Sequence, residues 1–318
     1  MELSVQSLYG LLIRSRLLSL ADAQAMFKRW QDEAKEDSAN TARFAKWMVA
    51  NKYLTEYQAS LLARGHTEGF YLGQYTILDR LGRGRMAGVY RAVHQLGQMV
   101  AIKVLPPSKA KDPHLLGRFQ RESRLATGLK HPNIVGTFQV GQANGVHYLV
   151  MEHLEGETLQ DVLQRRGKLP LEEAARIAYQ ALLGLQYLHE KGLVHRDLKP
   201  ANLMILPSST AKNTDTTHGS TIKILDIGLA RSEADDPEMA DGTDGPLTTE
   251  GILLGTPDYM SPEQARDARS VDIRSDIYSL GCVLFHAIAG QPPFPDSNII
   301  SQMIRHSSEA PRPLTEFN

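Results

Sequence analysis

The sequence predicts an α+β chain in which a small all-α segment precedes two lobes, the first rich in strands and the second helical. From Tyr75 to Glu152 the apolar residues fall into short β-rich runs interrupted by one helical pattern, whereas helical periodicity dominates after Thr158. Residues 1 to 64 are helical in pattern and nearly free of glycine. A ligand site is expected in the cleft between the two lobes.

The individual elements are predicted from local periodicity and from turn residues. Strands are expected at residues 75–81, 89–93, 99–104, 134–140 and 148–152, with a helix at 115–128 among them. Farther along, the pattern predicts helices at 171–190 and 276–289 and a short strand at 222–225. The stretches 206–221 and 232–245 are polar or acidic and cannot support a core, so surface loops are expected there.

The N-terminal segment contains two similar stretches, residues 12–19 and 48–55, which lie 36 residues apart. Each ends at a hydroxyl residue, Ser19 or Thr55, that is suited to cap the following helix. We interpret the similarity as a duplicated helix pair; the alternative is a chance likeness between two amphipathic helices. Glycines between residues 64 and 73 interrupt the helical pattern, so a helical domain at 1–66 and a second domain at 73–318 are predicted.

Composition limits the classes of function. Hydrophobic residues make up 42% and charged residues 22% of the chain, as in ordinary globular proteins. The net charge of −1 favours neither nucleic acid nor an anionic membrane as a partner. The single cysteine, Cys282, excludes a disulfide framework and a cysteine-based zinc site within one chain and indicates a cytoplasmic location. No signal peptide or membrane span is recognised, so any membrane anchor would lie outside these residues.

Four short motifs follow one another along the chain. Gly82 and Gly84 lie in the run Leu-Gly-Arg-Gly-Arg-Met-Ala-Gly-Val-Tyr, whose glycines let a strand–turn–strand backbone point amide groups at phosphates. Lys103 ends the apolar run Val-Ala-Ile-Lys. The run His-Arg-Asp-Leu-Lys-Pro-Ala-Asn begins at His195, and Asp-Ile-Gly begins at Asp226. A glycine-rich run alone is a weak signal, whereas the eight-residue run from His195 is very specific.

These motifs, in this order, resemble those of the eukaryotic-type serine/threonine protein kinases, and most closely the bacterial members of that family. The resemblance covers about residues 75 to 318 and implies the bilobal protein-kinase fold, with ATP as the phosphoryl donor and Mg²⁺ as the cofactor. Three positions depart from the family pattern: Ala87 occupies the third glycine position, Ile227 stands where the family usually has phenylalanine, and Ser261 stands where the motif has alanine. None of these departures removes a predicted metal ligand or catalytic group.

The resemblance assigns roles to the catalytic residues. It implies that Asp197 orients the substrate hydroxyl and accepts its proton, while Lys199 stabilises charge on the transferred phosphoryl group. It also implies that Lys103 contacts the α- and β-phosphates and that Glu122, on a helix, holds this lysine in place. A surface glutamate is the alternative for Glu122.

The resemblance also implies the metal and nucleotide ligands. Asn202 and Asp226 would hold Mg²⁺ through side-chain oxygens. The remaining nucleotide contacts are implied for apolar residues around the adenine and for a hinge that offers backbone hydrogen bonds: Val89, Ala101, Met204, Glu152 and Leu154.

Regulation is predicted around an activation segment. Residues 255–263 resemble its substrate-facing end, and Thr256 within them favours serine or threonine substrates. In the family, an arginine such as Arg196 pairs with a phosphothreonine of this segment, and Thr248 and Thr249 precede Thr256 at a suitable distance. Autophosphorylation between two associated molecules is therefore expected; two ordinary loop threonines are the alternative.

Two features concern the end of the chain. Asp276 matches a structural aspartate that anchors the catalytic loop in the family. The family continues through further helices, for which residues 296–318 are too few, so a kinase domain lacking its final helices is predicted.

The predicted function is therefore transfer of the γ-phosphoryl group of ATP to serine or threonine hydroxyls of proteins, including the chain itself. The alternative is a catalytically weak, nucleotide-binding scaffold that acts through protein interaction. Residues 1–66 mix acidic and basic side chains without a strongly basic face, so they are predicted to bind a protein partner rather than nucleic acid.

Overall fold

The structure is a computed structural model that describes residues 3–83, 88–207, 219–226, 231–232, 257–266 and 271–317. The chain divides into two compact units, each built from two stretches of sequence. The first unit comprises Met1–Gly117 with Phe138–His153, and the second comprises Arg118–Thr137 with Leu154–Asn318. The first contains a sheet and the second is mainly helical, which confirms the predicted α+β class.

Four capped helices open the first unit. They are α1 (Val5–Ser15), α2 (Leu20–Ala34), α3 (Thr41–Ala50) and α4 (Glu56–Ala63). The side chains of Ser4, Ser19, Asn40 and Thr55 accept backbone N–H groups of the four first turns, as good N-cap residues do. Buried apolar residues of the helices, among them Trp30 and Phe44, form one core.

The helices in the two halves of this segment begin at the same 36-residue spacing as the two similar stretches of sequence. α1 and α3 begin at Val5 and Thr41, and α2 and α4 begin at Leu20 and Glu56, so each pair begins 36 residues apart. The equivalent residues Leu12 and Met48, Ala23 and Ala59, and Met26 and Leu62 are all buried. This agreement supports the interpretation as a duplicated helix pair, which stays a prediction.

A six-stranded sheet completes the first unit, in the order β1-β2-β3-β4-β6-β5. Its strands are β1 (Tyr71–Leu72), β2 (Tyr75–Arg83), β3 (Gly88–His94), β4 (Met99–Leu105), β5 (Thr137–Ala143) and β6 (Val146–Glu152). The short helix α5 (Pro107–Ala110) follows β4, and α6 (Pro113–Ala126) begins in this unit and ends in the second. All five predicted strands are present; the sequence does not predict β1, because two residues carry no periodicity.

The second unit is built around the long helix α8 (Leu171–Glu190), whose bounds the sequence predicts to the residue. Its other helices are α7 (Leu159–Arg166), α9 (Pro262–Arg266), α10 (Ile273–Ala289) and α11 (Ile299–Ser308). Its short strands are β7 (Glu157–Thr158), β8 (Leu193–Val194), β9 (Leu203–Leu206), β10 (Thr221–Ile224) and β11 (Arg231–Ser232). The strands pair as β10-β9-β7 and as β11-β8. Apolar residues of α7, α8, α10, β9 and β10 share one buried core. Leu193 of β8 and Leu203 of β9 belong to the same core, so buried strands lie at both ends of the loop that connects β8 to β9.

Gly156 permits close packing of the backbone before β7 on β9. A Cβ atom added at Gly156 would overlap the carbonyl oxygen of Ile205 and would lie 3.1 Å from Leu206 Cδ2. We expect Gly156→Ala to lower the free energy of unfolding by about 2 kcal/mol, because overpacking against backbone forces the strands apart. Chemical denaturation measures this change. The matched control is Gly281→Ala in α10, where no described heavy atom lies within 4 Å of the added Cβ and alanine favours the helix. Equal stability of the two variants would contradict the prediction.

In the described part of the chain, no helix combines the length and the apolar character needed to cross a membrane.

Candidate functional site

The loop between β8 and β9, residues 195–202, is anchored by a buried carboxylate. Asp276 of α10 is fully buried, and its two oxygens accept the backbone N–H groups of His195 and Arg196, each at 2.8 Å. Arg196 has a left-handed backbone with φ of 67°, which is costly for a residue with a Cβ. Burial raises the pKa of Asp276, and the two backbone hydrogen bonds oppose that shift by stabilising the carboxylate. The carboxylate thus holds the loop in a strained conformation.

His195 is fully buried and connects the loop to the residue that precedes Asp226. Its Nδ1 accepts the backbone N–H of Asp197 at 3.3 Å, and its Nε2 lies 2.9 Å from the carbonyl oxygen of Leu225. Since a carbonyl oxygen only accepts, Nε2 carries the proton and the ring is the neutral tautomer. Both ring nitrogens of His195 are therefore engaged with the backbone, so the histidine has a structural role in this loop.

Asp197 is oriented by two neighbours on the same loop. Lys199 Nζ donates to Asp197 Oδ2 at 2.6 Å, and Asn202 Nδ2 donates to the Asp197 carbonyl oxygen at 2.8 Å and to Oδ2 at 3.3 Å. The side chains of Asp197 and Lys199 are 18% and 25% exposed, so the carboxylate is screened by protein on most sides but open to a substrate. Three predicted site residues are thus within hydrogen-bonding distance of one another.

Asn202 and Asp226 offer oxygen atoms on adjacent parts of the second unit. Asn202 is buried, and its carbonyl oxygen accepts the N–H of Leu225 at 2.8 Å, so the loop is joined to the residue before Asp226. Because Asn202 Nδ2 faces Asp197, the side-chain oxygen occupies the other branch of the amide. Asp226 is exposed and has a left-handed backbone, with φ of 50°. An amide oxygen and a carboxylate are hard ligands that fit Mg²⁺, which takes few protein ligands beside substrate phosphates.

In the first unit, the described residues that are predicted to bind the nucleotide lie on β2, β3, β4 and β6. Val89 pairs with both Gly82 and Lys103 across the strands. Because opposite residues share a face and successive residues alternate, Val89, Lys103 and Ala101 lie on the same face of the sheet. Glu152 ends β6 and pairs with Val100. These positions fit a surface that carries one ammonium group beside small apolar side chains.

The remaining predicted residues are distributed over the second unit or lie outside the described residues. Glu122 is buried on α6, so the surface alternative is wrong; its pairing with Lys103 stays a prediction. Met204 lies on β9, where it pairs with Lys223, and Leu154 follows β6. The glycine Gly84 and the threonines Thr248, Thr249 and Thr256 lie outside the described residues, as do most of the predicted polar loops.

The sequence did not predict a set of hydrogen-bonded side chains that contacts the backbone of Arg196 and joins residues 261–264 to α10. Gln264 Nε2 donates to the Arg196 carbonyl oxygen at 2.7 Å. The buried Ser261 donates to Ser275 Oγ at 2.9 Å, and Ser275 donates to Glu263 Oε1 at 2.5 Å. The one signal in the sequence is Ser261 itself, a polar residue where the motif has alanine, which indicates a polar partner in the fold.

Two partly buried tyrosine–histidine pairs give the second unit a pH-dependent stability. Tyr259 and Tyr278 hydroxyls lie 2.7 Å and 2.8 Å from Nδ1 of His286 and His306. Burial raises the pKa of each tyrosine and lowers the pKa of each histidine below 6.5. Below about pH 6.5 these two histidines therefore bind more protons in the unfolded chain than in the folded chain, so their contribution lowers stability as the pH falls.

Urea denaturation at pH 7.5 and at pH 5.5 checks this expectation. The unfolding free energy should be lower at pH 5.5, and the double variant His286→Gln, His306→Gln should show a smaller difference between the two pH values. An unchanged difference in the double variant would assign the effect to other groups.

The sequence of the chain is similar to those of known protein kinases. Residues 75–316 match the protein kinase domain family. The chain is 39% identical over 248 residues to the serine/threonine-protein kinase PknB of Mycobacterium leprae, covering 76% of this chain and 37% of the relative. It is 36% identical over 251 residues to a probable serine/threonine-protein kinase of Streptomyces coelicolor, covering 77% and 34%.

The chain spans about a third of the length of the relatives that it matches, 37% and 34% for these two. The match covers strands β2 to β6 of the first unit and nearly all of the second unit, so the predicted protein-kinase fold is confirmed. The relatives are bacterial and carry the serine/threonine designation, as the motifs predicted. The chain belongs to the protein kinase family, alongside bacterial serine/threonine kinases.

Proposed function

We propose that the chain transfers the γ-phosphoryl group of ATP to serine and threonine hydroxyls of proteins, including its own. The observation that carries this proposal is the orientation of Asp197 by Lys199 and Asn202 on a loop anchored by Asp276. The same residues match the family motif, and the relatives are named as serine/threonine kinases. Nothing in the comparisons favours the scaffold alternative.

The chemistry assigned to Asp197 is acceptance of a proton. A serine or threonine oxygen attacks the γ-phosphorus, its proton passes to the Asp197 carboxylate, and the bond to the bridging oxygen breaks as ADP leaves. Lys199, 2.6 Å from Asp197, holds the carboxylate in one orientation, and its positive charge offsets negative charge on the phosphoryl group. The strained backbone at Arg196 is consistent with a loop that is held ready for this step.

Asn202 and Asp226 would hold Mg²⁺ through an amide oxygen and a carboxylate. The ion, when bound, neutralises charge on the ATP phosphates. The chain itself holds the Asn202 oxygen in place by two hydrogen bonds. The side-chain Nδ2 of Asn202 donates to the Asp197 carbonyl oxygen, and the backbone carbonyl oxygen of Asn202 accepts the N–H of Leu225. In the first unit, Lys103 would bind phosphate, and Val89 and Ala101 on the same sheet face would contact the adenine.

Regulation and location follow the same proposal. Arg196 would pair with a phosphothreonine, for which Thr248 and Thr249 are the candidates, and self-association would allow one molecule to modify another. Residues 1–66 would form a protein-interaction module that precedes the kinase domain at 73–318 in the sequence. A cytoplasmic location suits the single cysteine: Cys282 is buried, and burial raises its pKa to about 12, so the thiol stays protonated.

The test is incubation of the chain with γ-labelled ATP and Mg²⁺, followed by analysis of the labelled amino acids. We expect label on serine and threonine of the chain itself and of a generic basic protein. Nucleotide binding without any transfer would favour the scaffold instead. Label on tyrosine alone would contradict the predicted substrate class.

A further inference from the structure

The edge of β2 that faces away from β3 is paired with β1 at only two residues, and α4 contacts the part of this edge beyond them. β1 pairs only with Tyr75 and Thr76 of β2. The ladder on this side ends where the N–H of Ile77 donates to the carbonyl oxygen of Phe70 at 2.8 Å. An uncovered strand edge leaves backbone groups unpaired, so the next carbonyl groups of β2 need partners from elsewhere.

The capping box at the start of α4 supplies those partners. Gln58 Nε2 donates to the Ile77 carbonyl oxygen at 2.8 Å, and Thr55 Oγ1 donates to the Leu78 carbonyl oxygen at 2.5 Å. Leu78 is the extra residue of a bulge, since Ile77 pairs with Ala92 and Asp79 already pairs with Arg91. Gln58 is 4% exposed, so its amide depends on this bond for satisfaction.

Both side chains serve the helix and the sheet at once. Gln58 Oε1 accepts the backbone N–H of Thr55 at 3.1 Å, and Thr55 Oγ1 accepts the backbone N–H of Gln58 at 3.1 Å. The helix start and the bulge are therefore fixed by the same four hydrogen bonds. A shift of α4 would break bonds to β2, and a shift of β2 would disturb the helix cap.

A second contact reaches the neighbouring strand. The ring of Tyr57, on α4, lies 6.1 Å from the ring of Tyr90 on β3. Tyr90 pairs with Arg80 of β2, and the Arg80 guanidinium lies 5.7 Å from the Tyr90 ring. The next residue pair of this hairpin is Gly82 with Val89, which belong to the predicted nucleotide site.

We propose that Thr55 and Gln58 are positioning residues that hold the β2–β3 hairpin in its nucleotide-binding geometry, so that the N-terminal helices act on ATP affinity. This inference rests on the proposed function, because it concerns the nucleotide site of the same kinase. The N-terminal helices would then support the sheet of the first unit as well as form a candidate docking module.

The duplicated helix pair offers a matched control. Asp22 occupies in α2 the place that Gln58 occupies in α4, three residues after the cap residue. It is exposed, and its carboxylate accepts the hydroxyl of its own cap residue Ser19 at 2.6 Å. Asp22→Asn therefore changes the same helix position without touching the sheet bond.

The decisive variant is Gln58→Glu. Glutamate keeps the capping box, because one carboxylate oxygen still accepts the Thr55 N–H, but the other oxygen faces the Ile77 carbonyl instead of donating to it. We expect the dissociation constant of a fluorescent ATP analogue with Mg²⁺ to rise about fivefold, the factor that one lost hydrogen bond commonly makes. The KM for ATP should rise equally while kcat changes little, and Asp22→Asn should match the wild type.

The outcomes separate positioning from mere stabilisation. If Gln58→Glu lowers the thermal midpoint but binds the analogue as tightly as Asp22→Asn, the bonds serve stability alone and the proposal is wrong. Gln58→Met, which lacks both the donor and the charge, gives the same comparison should the glutamate variant not fold. Direct binding also decides the question if the wild type transfers no phosphate, so this proposal and the proposed function fail independently.

Discussion

Asp197→Asn is expected to lower kcat for phosphoryl transfer by about a thousandfold, the middle of the range for loss of a proton acceptor. Asparagine keeps the size and the position of the side chain, but it cannot take the proton of the attacking hydroxyl. It also removes the charge that Lys199 Nζ contacts at 2.6 Å, so the lysine loses its fixed place. Nucleotide affinity should stay near the wild-type value, because the residues assigned to nucleotide binding are unchanged.

Steady-state rates at saturating ATP measure the first part of this prediction, and titration with a fluorescent ATP analogue measures the second. The binding titration is the control, since a misfolded variant would lose both properties. A variant that keeps more than about a tenth of the wild-type kcat would remove Asp197 from the role of proton acceptor.

Asp276→Asn is expected to lower both activity and stability. The Asp276 carboxylate is fully buried and accepts the N–H groups of His195 and Arg196, each at 2.8 Å. An asparagine side chain has one acceptor oxygen, so one of these amides would face an NH₂ group. Hydrogen bonds to charged groups are worth about 1.5–3 kcal/mol, so a loss of about 3 kcal/mol in unfolding free energy is expected.

Activity should fall with stability because Arg196 holds a left-handed backbone beside Asp197. Once its amide is released, the loop can relax and Asp197 loses its orientation. Chemical denaturation and kcat measure the two effects.

The same helix provides a matched control for this variant. Asp272 is the N-cap of α10, and asparagine caps helices about as well as aspartate. Its ion pair with Arg274 is exposed and contributes little. Asp272→Asn should therefore stay within about 0.5 kcal/mol of the wild type. Similar losses in both variants would show that the anchoring role of Asp276 is wrong.

Local signals explain why much of the fold could be predicted. The helix at 171–190 has a clear apolar periodicity and agrees with α8 at both ends. Ser19 and Thr55 were predicted as caps from their residue types, and both accept backbone N–H groups at helix starts. These features depend on residues within one turn of each other, so the sequence states them directly.

Features that depend on distant residues were not predictable. The bonds from Thr55 and Gln58 to β2 join residues about twenty positions apart, and neither residue carries a mark that distinguishes a cap from a contact with a sheet. The strand β1 has two residues and no pattern of its own. β5 begins at Thr137 rather than at the predicted residue 134, because Ile134 forms a β-bridge with Ile224 instead of joining the sheet.

The candidate site shows the same division. The motif identified Asp197, Lys199 and Asn202, and the structure brings these three together by hydrogen bonds. The motif did not reveal the neutral tautomer of His195 or the contact of Gln264 with the Arg196 carbonyl, because both partners come from other segments. A sequence motif therefore names the reacting groups, whereas their orientation emerges only from the fold.

The most direct test of the central claim is a single-turnover comparison of the wild-type chain with Asp197→Asn, using γ-labelled ATP and Mg²⁺. We expect the wild type to move label onto serine or threonine, while the variant binds the nucleotide and leaves the label on ATP. Equal transfer by both proteins would contradict the assignment of Asp197. Binding by both proteins without transfer by either would contradict the proposed kinase activity of these residues.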